Sequence, residues 1–307
     1  MVALLFPGQG SQYVGMGRDL CAAYPAARRV FEEADAVLGF SLSSLCTDGP
    51  ESELTETHNA QPAILVHSIA VLRCIEASLG DVVAAAGHSL GEFSAWIAAG
   101  SLRFADGLRT VRRRGELMRW SGDERPGTMA ALLGLDDAGI ERVCREASEM
   151  GGECVPANYN APGQTVISGD IPTVERAMEI AKTAGAKRAM RLNVSGAFHS
   201  PLMRVAQAGL VEQLGHVSFR PPAFPVISNV SAEPVSDPVA ARRLLEEQLT
   251  SPVRWTDSVG AMRAAGARRF LELGPGNVLT GLLRRIDRDA AGQAIGTGAE
   301  VAAFLDA

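Results

Sequence analysis

The segment from Asp81 to Gly100 constrains the fold of this chain more than any other. It opens with an apolar run at 81–86 that is typical of a buried strand. The pentapeptide Gly-His-Ser-Leu-Gly follows directly at 87–91, and residues 90–99 have the pattern of a helix that ends at Gly100. Because strands joined to helices by short turns are typical of α/β proteins, we expect a largely parallel sheet.

The chain on either side repeats this alternation of strands and helices. An apolar strand at 2–6 precedes expected helices at 17–38 and 59–79, and another helix is expected at 104–120. Further along, the pattern predicts helices at 200–214, 238–249 and 277–286, with strands at 224–229 and 268–273. The last dozen residues are expected to form a surface tail.

The middle of the chain has a different order of elements. Between 128 and 193 the pattern predicts the order βαββαβ, which is the split arrangement of ferredoxin-like domains. A length of 307 residues indicates about two domains, or one large domain with an insertion. We therefore expect an α/β domain formed by 1–125 and 196–307, with a small ferredoxin-like domain at 126–195 inserted into it.

Composition excludes several classes of protein. Hydrophobic residues make up 47% of the chain, which supports a large core and excludes a disordered protein. A net charge of −6 and an aromatic content of 5% disfavour a nucleic-acid-binding protein. Five cysteines without a CxxC pair disfavour a zinc site or a disulfide framework, and no apolar run is long enough to span a membrane. We expect a cytoplasmic protein without a metal site.

Ser89 is the candidate nucleophile. It lies in a G-x-S-x-G sequence between a predicted strand and a predicted helix, which is the setting of a nucleophile elbow. The flanking glycines permit a sharp turn, and the helix N-terminus favours negative charge that develops near the hydroxyl. The alternative is a serine that only caps the helix after a tight turn.

His199 is the candidate base among five histidines. It lies at a predicted strand-to-helix junction, where catalytic residues are common, whereas His58, His67 and His216 lie in a polar loop, within a helix and after a helix end. His88 adjoins Ser89, and neighbouring side chains at an elbow point apart. Without Ser89, a structural loop histidine would be the better interpretation of His199.

The glycine-rich loop after the first strand is the candidate oxyanion site. Its backbone N–H at Gln9, together with the N–H of Leu90 after the nucleophile, would be two donors for an oxyanion. The alternative is a glycine-rich turn without chemistry. Neither a dinucleotide-binding nor a P-loop pattern is present, so a phosphate site is disfavoured.

Five motifs together resemble one family, the malonyl-CoA:acyl carrier protein transacylases of fatty acid and polyketide synthesis. They lie at 6–12, 87–92, 196–200, 248–255 and 272–276, in the order expected for that family, and the resemblance spans about 2–290. It implies a hydrolase-like α/β domain with a ferredoxin-like insertion.

The resemblance also implies roles for individual residues. Ser89 would carry the acyl group and His199 would be the base, oriented by backbone carbonyls because the family usually lacks a triad carboxylate. Arg114 would bind the malonyl carboxylate, since a guanidinium matches a carboxylate in charge and geometry. The remaining implied residues are the oxyanion donors Gln9 and Leu90 and the substrate-site residues Gln248, Asn160 and Phe198. Of these, Gln248 would help to position the histidine.

Arg114 also has a simpler interpretation. It belongs to a run of three arginines at 112–114, and such runs usually form a solvated helix face. Three consecutive residues cannot share one face of a helix, and Glu116 is placed to pair with Arg112 at i, i+4.

The implied activity is transfer of a malonyl group from malonyl-CoA to the phosphopantetheine thiol of an acyl carrier protein, without a bound cofactor. Alternatives are a serine thioesterase or other hydrolase, the malonyl transacylase subunit of a malonate decarboxylase, and a non-catalytic docking subunit. Because carrier proteins are acidic, docking requires a local basic patch. The candidates for it are Arg109, Arg112, Arg113, Arg188 and Arg191.

Overall fold

The computed structural model describes all residues, 1–307. Its strands are β1 Val2–Phe6, β2 Val82–Gly87, β3 Gly127–Leu133, β4 Cys154–Ala161, β5 Gln164–Asp170, β6 Arg188–Arg191, β7 Val226–Ile227, β8 Pro234–Val235, β9 Arg269–Leu273 and β10 Ala291–Ile295. Its helices are α1 Arg18–Ala23, α2 Pro25–Leu38, α3 Leu42–Asp48, α4 Glu51–Leu54, α5 Thr57–Ile75, α6 Gly91–Ala98, α7 Phe104–Glu124, α8 Asp137–Glu149, α9 Ile171–Thr183, α10 Arg204–Gly215, α11 Pro238–Glu247, α12 Trp255–Ala264, α13 Val278–Ile286 and α14 Gly298–Leu305. Short 3-10 helices occupy Glu76–Ser78, Pro201–Met203 and Gln248–Thr250.

The larger sheet has six strands in the order β10-β9-β1-β2-β7-β8. All neighbours pair in parallel except β7 and β8, which are antiparallel. Successive residues of β1 belong to different cores: Leu4 packs in the cluster that contains α5 and α6, and Leu5 packs in the cluster that contains α12 and α13. Helices therefore cover both faces of the sheet, as expected for a buried parallel sheet.

The smaller sheet has four strands in the order β4-β5-β3-β6, all antiparallel. Along the chain its elements follow the predicted order βαββαβ, from Gly127 to Arg191. Apolar residues of α8 and α9 cover one face and form a separate core with Ala130, Leu132 and Ile167. Both sheets agree with the predicted fold class, a parallel α/β body with a ferredoxin-like unit.

The predicted surface tail is wrong. The last dozen residues, 296–307, contain α14, in which Val301 and Phe304 are buried. Residues 291–295, directly before them, form β10, an edge strand of the larger sheet that was not predicted. The sequence of β10, Ala-Gly-Gln-Ala-Ile, has neither the apolar run nor the clear alternation that predicts a strand. Helices α3, α4 and α12 were also missing from the predicted elements.

One helical segment, 57–78, has the length and hydropathy of a membrane span, and most of it is buried inside the protein. It contains α5, whose residues pack in the largest core cluster. Burial on this scale is that of a core helix. The helix begins at Thr57, two residues before the expected start at 59, so Pro62 lies in its second turn.

Candidate active site

A cavity of about 410 Å³ opens where β1 and β2 end, next to the smaller sheet. Carboxyl ends of parallel strands are the usual location of sites in α/β proteins. Both sheets contribute to the walls. The lining residues are Gln9, Gly10, Gln12, Thr55, Gln61, His88, Ser89, Leu90, Arg114, Met118, Met129, Asn158, Leu192, Asn193, Val194, Phe198 and His199.

Ser89 lies on a strained turn between β2 and α6. Its φ is 53°, in the left-handed region that non-glycine residues rarely adopt. The two glycines of the motif are required sterically. A Cβ on Gly87 would lie 1.8 Å from the carbonyl carbon of Gly91, and a Cβ on Gly91 would lie 2.1 Å from the carbonyl oxygen of Phe6. The turn therefore places the hydroxyl at the N-terminus of α6.

His199 lies beside this hydroxyl, although 110 positions separate the two residues in the chain. Its Nε2 lies 2.8 Å from Ser89 Oγ. Its Nδ1 lies 3.0 Å from the carbonyl oxygen of Gln248 and 3.1 Å from that of Ser251. Two carbonyl acceptors require the proton on Nδ1, so Nε2 is left to accept a hydrogen bond from Ser89.

The environment of His199 keeps its imidazole neutral. Burial and, second to it, the nearby charge of Arg114 lower the pKa of His199 to about 3, against the hydrogen bond to Gln248. No carboxylate contacts the ring to stabilise a positive charge. The neutral form is the one able to take a proton from a hydroxyl.

Arg114 is fully buried on α7, with no exposed surface. Its Nη2 donates to Ser89 Oγ at 2.9 Å and to Gln248 Oε1 at 2.9 Å, and its Nη1 donates to Gln61 Oε1 at 2.6 Å. These bonds use three of the five guanidinium donors. Burial lowers the pKa of Arg114 to about 9, and buried Glu92 opposes that shift. The alternative of a solvated arginine at this position is wrong.

Gln248 lies behind the cavity wall rather than in the lining. Its Nε2 donates to the carbonyl oxygen of Ser89 at 3.0 Å and to Glu92 Oε2 at 2.7 Å, while its Oε1 accepts from Arg114. The backbone carbonyl of Gln248 also accepts from His199, so Gln248 contacts Ser89, Arg114 and His199. All of these contacts are to protein groups, and they include the histidine that Gln248 is expected to help position.

Two buried residues of the site were not predicted from the sequence. Asn229 accepts from the N–H of Ser89 at 2.7 Å and donates to the carbonyl of Gly87 at 2.7 Å, which holds the elbow from β7. Glu92 accepts from Gln248 and from the N–H of Asn229. Burial raises the pKa of Glu92 to about 7, against the hydrogen bond from Gln248. The only signal in the sequence was the position of Glu92, a carboxylate two residues after the start of the apolar helix expected at 90–99.

The loop after β1 touches the elbow. A Cβ on Gly8 would lie 2.6 Å from the carbonyl oxygen of His88, so only a glycine permits this approach. The backbone N–H groups of Gln9 and Leu90 have no hydrogen-bond partner in the protein. The side chain of Gln9 donates to Thr57 Oγ1 instead of pointing at Ser89. Both backbone donors remain free for a ligand.

The other predicted substrate-site residues, Phe198 and Asn160, differ in their position relative to the cavity. Phe198 lines the cavity, whereas Asn160 does not and accepts from Nε2 of His88 at 2.8 Å. His88 itself lines the cavity, and its ring packs against Trp255. No group of three or more His, Cys, Asp or Glu side chains is arranged to hold a metal ion.

Among the candidate docking arginines, Arg112 is the most restrained. It donates to Glu116 at 2.8 Å, to the carbonyl of His58 and to Asn59. The pairing with Glu116 is the predicted one. Arg109 and Arg113 are exposed further along α7, and Arg188 and Arg191 lie on β6. Residues 192–194, directly after β6, line the cavity mouth.

Comparison with known proteins agrees with this arrangement. A family model described as the acyl transferase domain matches residues 3–297. The malonyl CoA-acyl carrier protein transacylase of Bacillus subtilis is 48% identical over 287 residues, which cover 94% of this chain and 90% of that relative.

Solved structures are similar over nearly the whole chain. The acyl carrier protein S-malonyltransferase of Vibrio cholerae has a TM-score of 0.94 at 42% identity and covers 98% of this chain and 99% of its own. A malonyl-transacylase in complex with its type II PKS acyl-carrier protein has a TM-score of 0.96 at 42% identity, with 99% of each chain covered. The chain therefore belongs to the acyl transferase family, among the malonyl CoA-acyl carrier protein transacylases.

Proposed function

We propose that this protein transfers a malonyl group from malonyl-CoA to the phosphopantetheine thiol of an acyl carrier protein, through a malonyl ester of Ser89. One observation carries the proposal: the Ser89 hydroxyl lies 2.8 Å from an imidazole nitrogen and 2.9 Å from a buried guanidinium. A nucleophile, its base and a cation for a carboxylate thus meet in one cavity. The similarity to transacylases supports the same activity.

In the first half-reaction, Ser89 Oγ attacks the thioester carbonyl carbon while its proton moves to His199 Nε2. The backbone N–H groups of Gln9 and Leu90 hold the resulting oxyanion, and losing one such donor typically costs about 2.7–4 kcal/mol. Collapse of the tetrahedral intermediate breaks the C–S bond. The leaving sulfur takes the proton from His199 and departs as the thiol of coenzyme A.

The second half-reaction reverses these roles with a different thiol. The phosphopantetheine thiol gives its proton to His199 and attacks the malonyl ester. The C–O bond to Ser89 then breaks, and the serine oxygen regains the proton. Because coenzyme A leaves before the carrier protein reacts, the kinetics are expected to be ping-pong.

Arg114 would select substrates that end in a carboxylate. Two of its donors have no partner in the protein, and the bond to Ser89 is free to be exchanged for one to the substrate. A neutral acetyl group would leave the buried cation without a counter-charge, at a cost of several kcal/mol. Phe198 would crowd an α-methyl group, so a Phe198→Ala variant that still excludes methylmalonyl-CoA would contradict this role.

Incubation with malonyl-CoA and a phosphopantetheinylated carrier protein tests the proposal. The expected result is a malonyl adduct on Ser89 by mass spectrometry, followed by malonyl transfer to the carrier protein faster than release of free malonate. A Ser89→Ala variant should form neither product. Rapid malonate release without transfer would instead identify a thioesterase. Absence of any adduct would identify a docking subunit.

A malonate decarboxylase subunit would also form the serine adduct, so the identity of the accepting carrier protein distinguishes it. Assays with several carrier proteins therefore address the pathway, fatty acid or polyketide synthesis. A cytoplasmic location remains a prediction from the sequence.

We propose further that the carrier protein docks beside the mouth, with Arg188 and Arg191 of β6 as contacts and Arg109 and Arg113 of α7 as secondary candidates. The chain is negative overall, at −6, so an acidic partner requires such a local patch. Charge reversal at Arg188 and Arg191 should raise KM for the carrier protein, and added salt should weaken the difference.

The matched control for docking is Arg73→Glu. Arg73 is exposed near the end of α5, in a part of the helix that lies by the amino end of β2, whereas the mouth lies at the carboxyl ends of β1 and β2. An equal change in KM from both reversals would contradict the proposed docking site, and so would a change in KM for malonyl-CoA alone.

A further inference from the structure

Glu92 is a buried carboxylate that the mechanism above does not use. It lies in the first turn of α6 with no exposed surface, and it does not line the cavity. We propose that Glu92 is a positioning residue: through Gln248 and Asn229 it fixes Arg114 and Ser89, and so maintains the preference for carboxylate substrates. This inference rests on the proposed malonyl transfer.

The contacts of Glu92 converge on one oxygen. Its Oε2 accepts from Gln248 Nε2 at 2.7 Å and from the backbone N–H of Asn229 at 3.1 Å, and all three residues are fully buried. Its other oxygen, Oε1, has no partner at hydrogen-bond distance, although the indole N–H of Trp96 lies close enough to oppose the rise in the pKa of Glu92. A buried donor left without an acceptor costs about 1–3 kcal/mol, so these two bonds restrain both partners.

Gln248 carries the restraint from Glu92 to Arg114. Its amide is held in one orientation, with Nε2 on the acceptors Glu92 and Ser89 O and with Oε1 on Arg114 Nη2. Without an acceptor at position 92, one amide proton of Gln248 would be buried and unpaired. Rotation of the amide to find another acceptor would remove Oε1 from the guanidinium.

Asn229 carries the restraint to the nucleophile. The backbone N–H of Asn229 is held by Glu92, while its side chain bridges the N–H of Ser89 and the carbonyl of Gly87. The bridge spans the turn on which Ser89 has a positive φ. Glu92 thus links the turn that strains the nucleophile to the amide that holds Arg114.

The intervening amide has a chemical consequence. Glu92 contacts Gln248 and does not form a direct ion pair with Arg114. A carboxylate bound directly to the guanidinium would occupy the donors that a substrate carboxylate requires, because such pairs are bidentate. A neutral amide oxygen positions Arg114 while leaving it able to bind an anion.

Glu92→Leu and Glu92→Gln form a pair of variants with the same charge. Leucine removes the acceptor, whereas glutamine retains one oxygen that can accept both hydrogen bonds. In the acylation half-reaction, Glu92→Leu is expected to lower the ratio of kcat/KM for malonyl-CoA to that for acetyl-CoA by about tenfold or more, the scale of a hydrogen bond to a charged group. Glu92→Gln should keep this ratio within about threefold of the original chain's value.

Rates are expressed per active site, titrated as acylated Ser89, so that partial unfolding does not alter the ratio. Glu272→Leu is the control for loss of a buried carboxylate, because Glu272 bonds only to Leu279 and Thr280 at the start of α13. This control should lower stability and leave the ratio unchanged.

Equal ratios in the Leu and Gln variants, or an unchanged ratio in Glu92→Leu, would overturn the inference, and so would an equal change in Glu272→Leu. If Glu92→Leu does not fold, Glu92→Asp replaces it. Aspartate is one methylene shorter than glutamate, so its carboxylate cannot reach both Gln248 and Asn229. That variant should lose at least about fivefold in the ratio, and an unchanged ratio would again overturn the inference. Failure of the original chain to transfer malonyl would instead refute the proposed function.

Discussion

Arg114 and His199 contact the same hydroxyl, and the positive charge of Arg114 lowers the pKa of His199. Burial is the largest of the causes that lower the pKa of His199, the guanidinium of Arg114 is the second, and His88 makes a smaller contribution. A substrate carboxylate bound to Arg114 would neutralise that charge, so the imidazole would become a stronger base when malonyl-CoA is present. Acetyl-CoA has no carboxylate and would not produce this change. Selectivity would then come from the chemical step as well as from binding.

The pH dependence of acylation tests the state of His199. Because its pKa is lowered from 6.5 to about 3, the neutral base persists as the pH falls, and proton uptake occurs only in strong acid. In the free enzyme, kcat/KM for acetyl-CoA should therefore stay nearly constant from about pH 8 to about pH 5. Stopped-flow measurement of coenzyme A release provides the profile. A midpoint near the ordinary pKa of histidine would contradict the shift.

Removal of Arg114 provides the second prediction at this scale. Arg114→Ala should lower kcat/KM for malonyl-CoA by about 100-fold or more, because a buried ion pair with the substrate is lost. Activity toward acetyl-CoA should fall far less, so the malonyl preference should be lost. Arg119→Ala, an exposed arginine on the same helix, is the control. An unchanged malonyl-to-acetyl ratio in Arg114→Ala would refute the role of Arg114.

At the scale of elements, the contact between helices α5 and α7 determines the surroundings of the arginines on α7. Pro62 has no N–H, so the carbonyl of His58 lacks its partner within the helix. Arg112 of α7 donates to this carbonyl at 2.9 Å. The next turn-neighbour on α7, Gly115, lies so close to α5 that a Cβ there would be 2.6 Å from the Cα of His58. Arg114, the neighbour of Gly115 on α7, donates to Gln61 of α5 and is fully buried, whereas Arg112 is only partly buried.

The elbow gives a prediction for the β2–α6 connection. A Cβ on Gly91 would meet the backbone oxygen of Phe6, which cannot move without disturbing β1. Gly91→Ala should therefore lower the free energy of unfolding by about 3 kcal/mol or more and reduce acylation. Gly281→Ala is the matched control, because a Cβ at that helical position has nothing within 4 Å.

The control should stabilise the protein by about 0.5–1 kcal/mol, the difference in helix propensity. Denaturant unfolding measures both variants. Equal stabilities would show that the close approach at Gly91 is relieved by local movement.

At the scale of the whole molecule, the site depends on the meeting of two sheets and on a complete larger sheet. The larger sheet supplies Ser89, and the segment after β6 of the smaller sheet lines the mouth. Val253, between Gln248 and α12, exchanges backbone hydrogen bonds with β4. This contact ties the smaller sheet to the segment that orients His199.

The C-terminal segment completes the larger sheet and should be required for folding. Removal of 291–307 would expose the edge of β9 and delete the side chains of Ile295, Val301 and Phe304, whose burial contributes about 1.5–3 kcal/mol each. The truncated chain should have a much lower melting temperature, or fail to unfold cooperatively. Removal of 306–307 alone is the control, since both residues are exposed. Equal melting temperatures for the truncated and complete chains would contradict this requirement and would favour a C-terminal surface tail.

The sequence by itself determined the fold class and made Ser89 the candidate nucleophile. Local patterns carry that information: the apolar run before Gly87, the glycines around Ser89 and the split order between 127 and 191 reflect backbone sterics and short-range periodicity. The choice of His199 among five histidines followed from its predicted junction. The boundaries expected at 126–195 are still a prediction, although the four strands of the smaller sheet lie within them.

Only the tertiary structure decided the roles of residues that act through long-range contacts. Arg114 is buried against Gln61, Glu92 acts through Gln248, and Asn229 bridges the turn at Ser89. These contacts join positions 53 to 159 residues apart, and no local pattern in the sequence marks such pairs. Strand β10 was missed for a related reason, because its pairing with β9 compensates for a weakly apolar sequence. Hydrogen bonds between buried side chains depend on which surfaces meet, and that is fixed only when the two sheets and their helices pack.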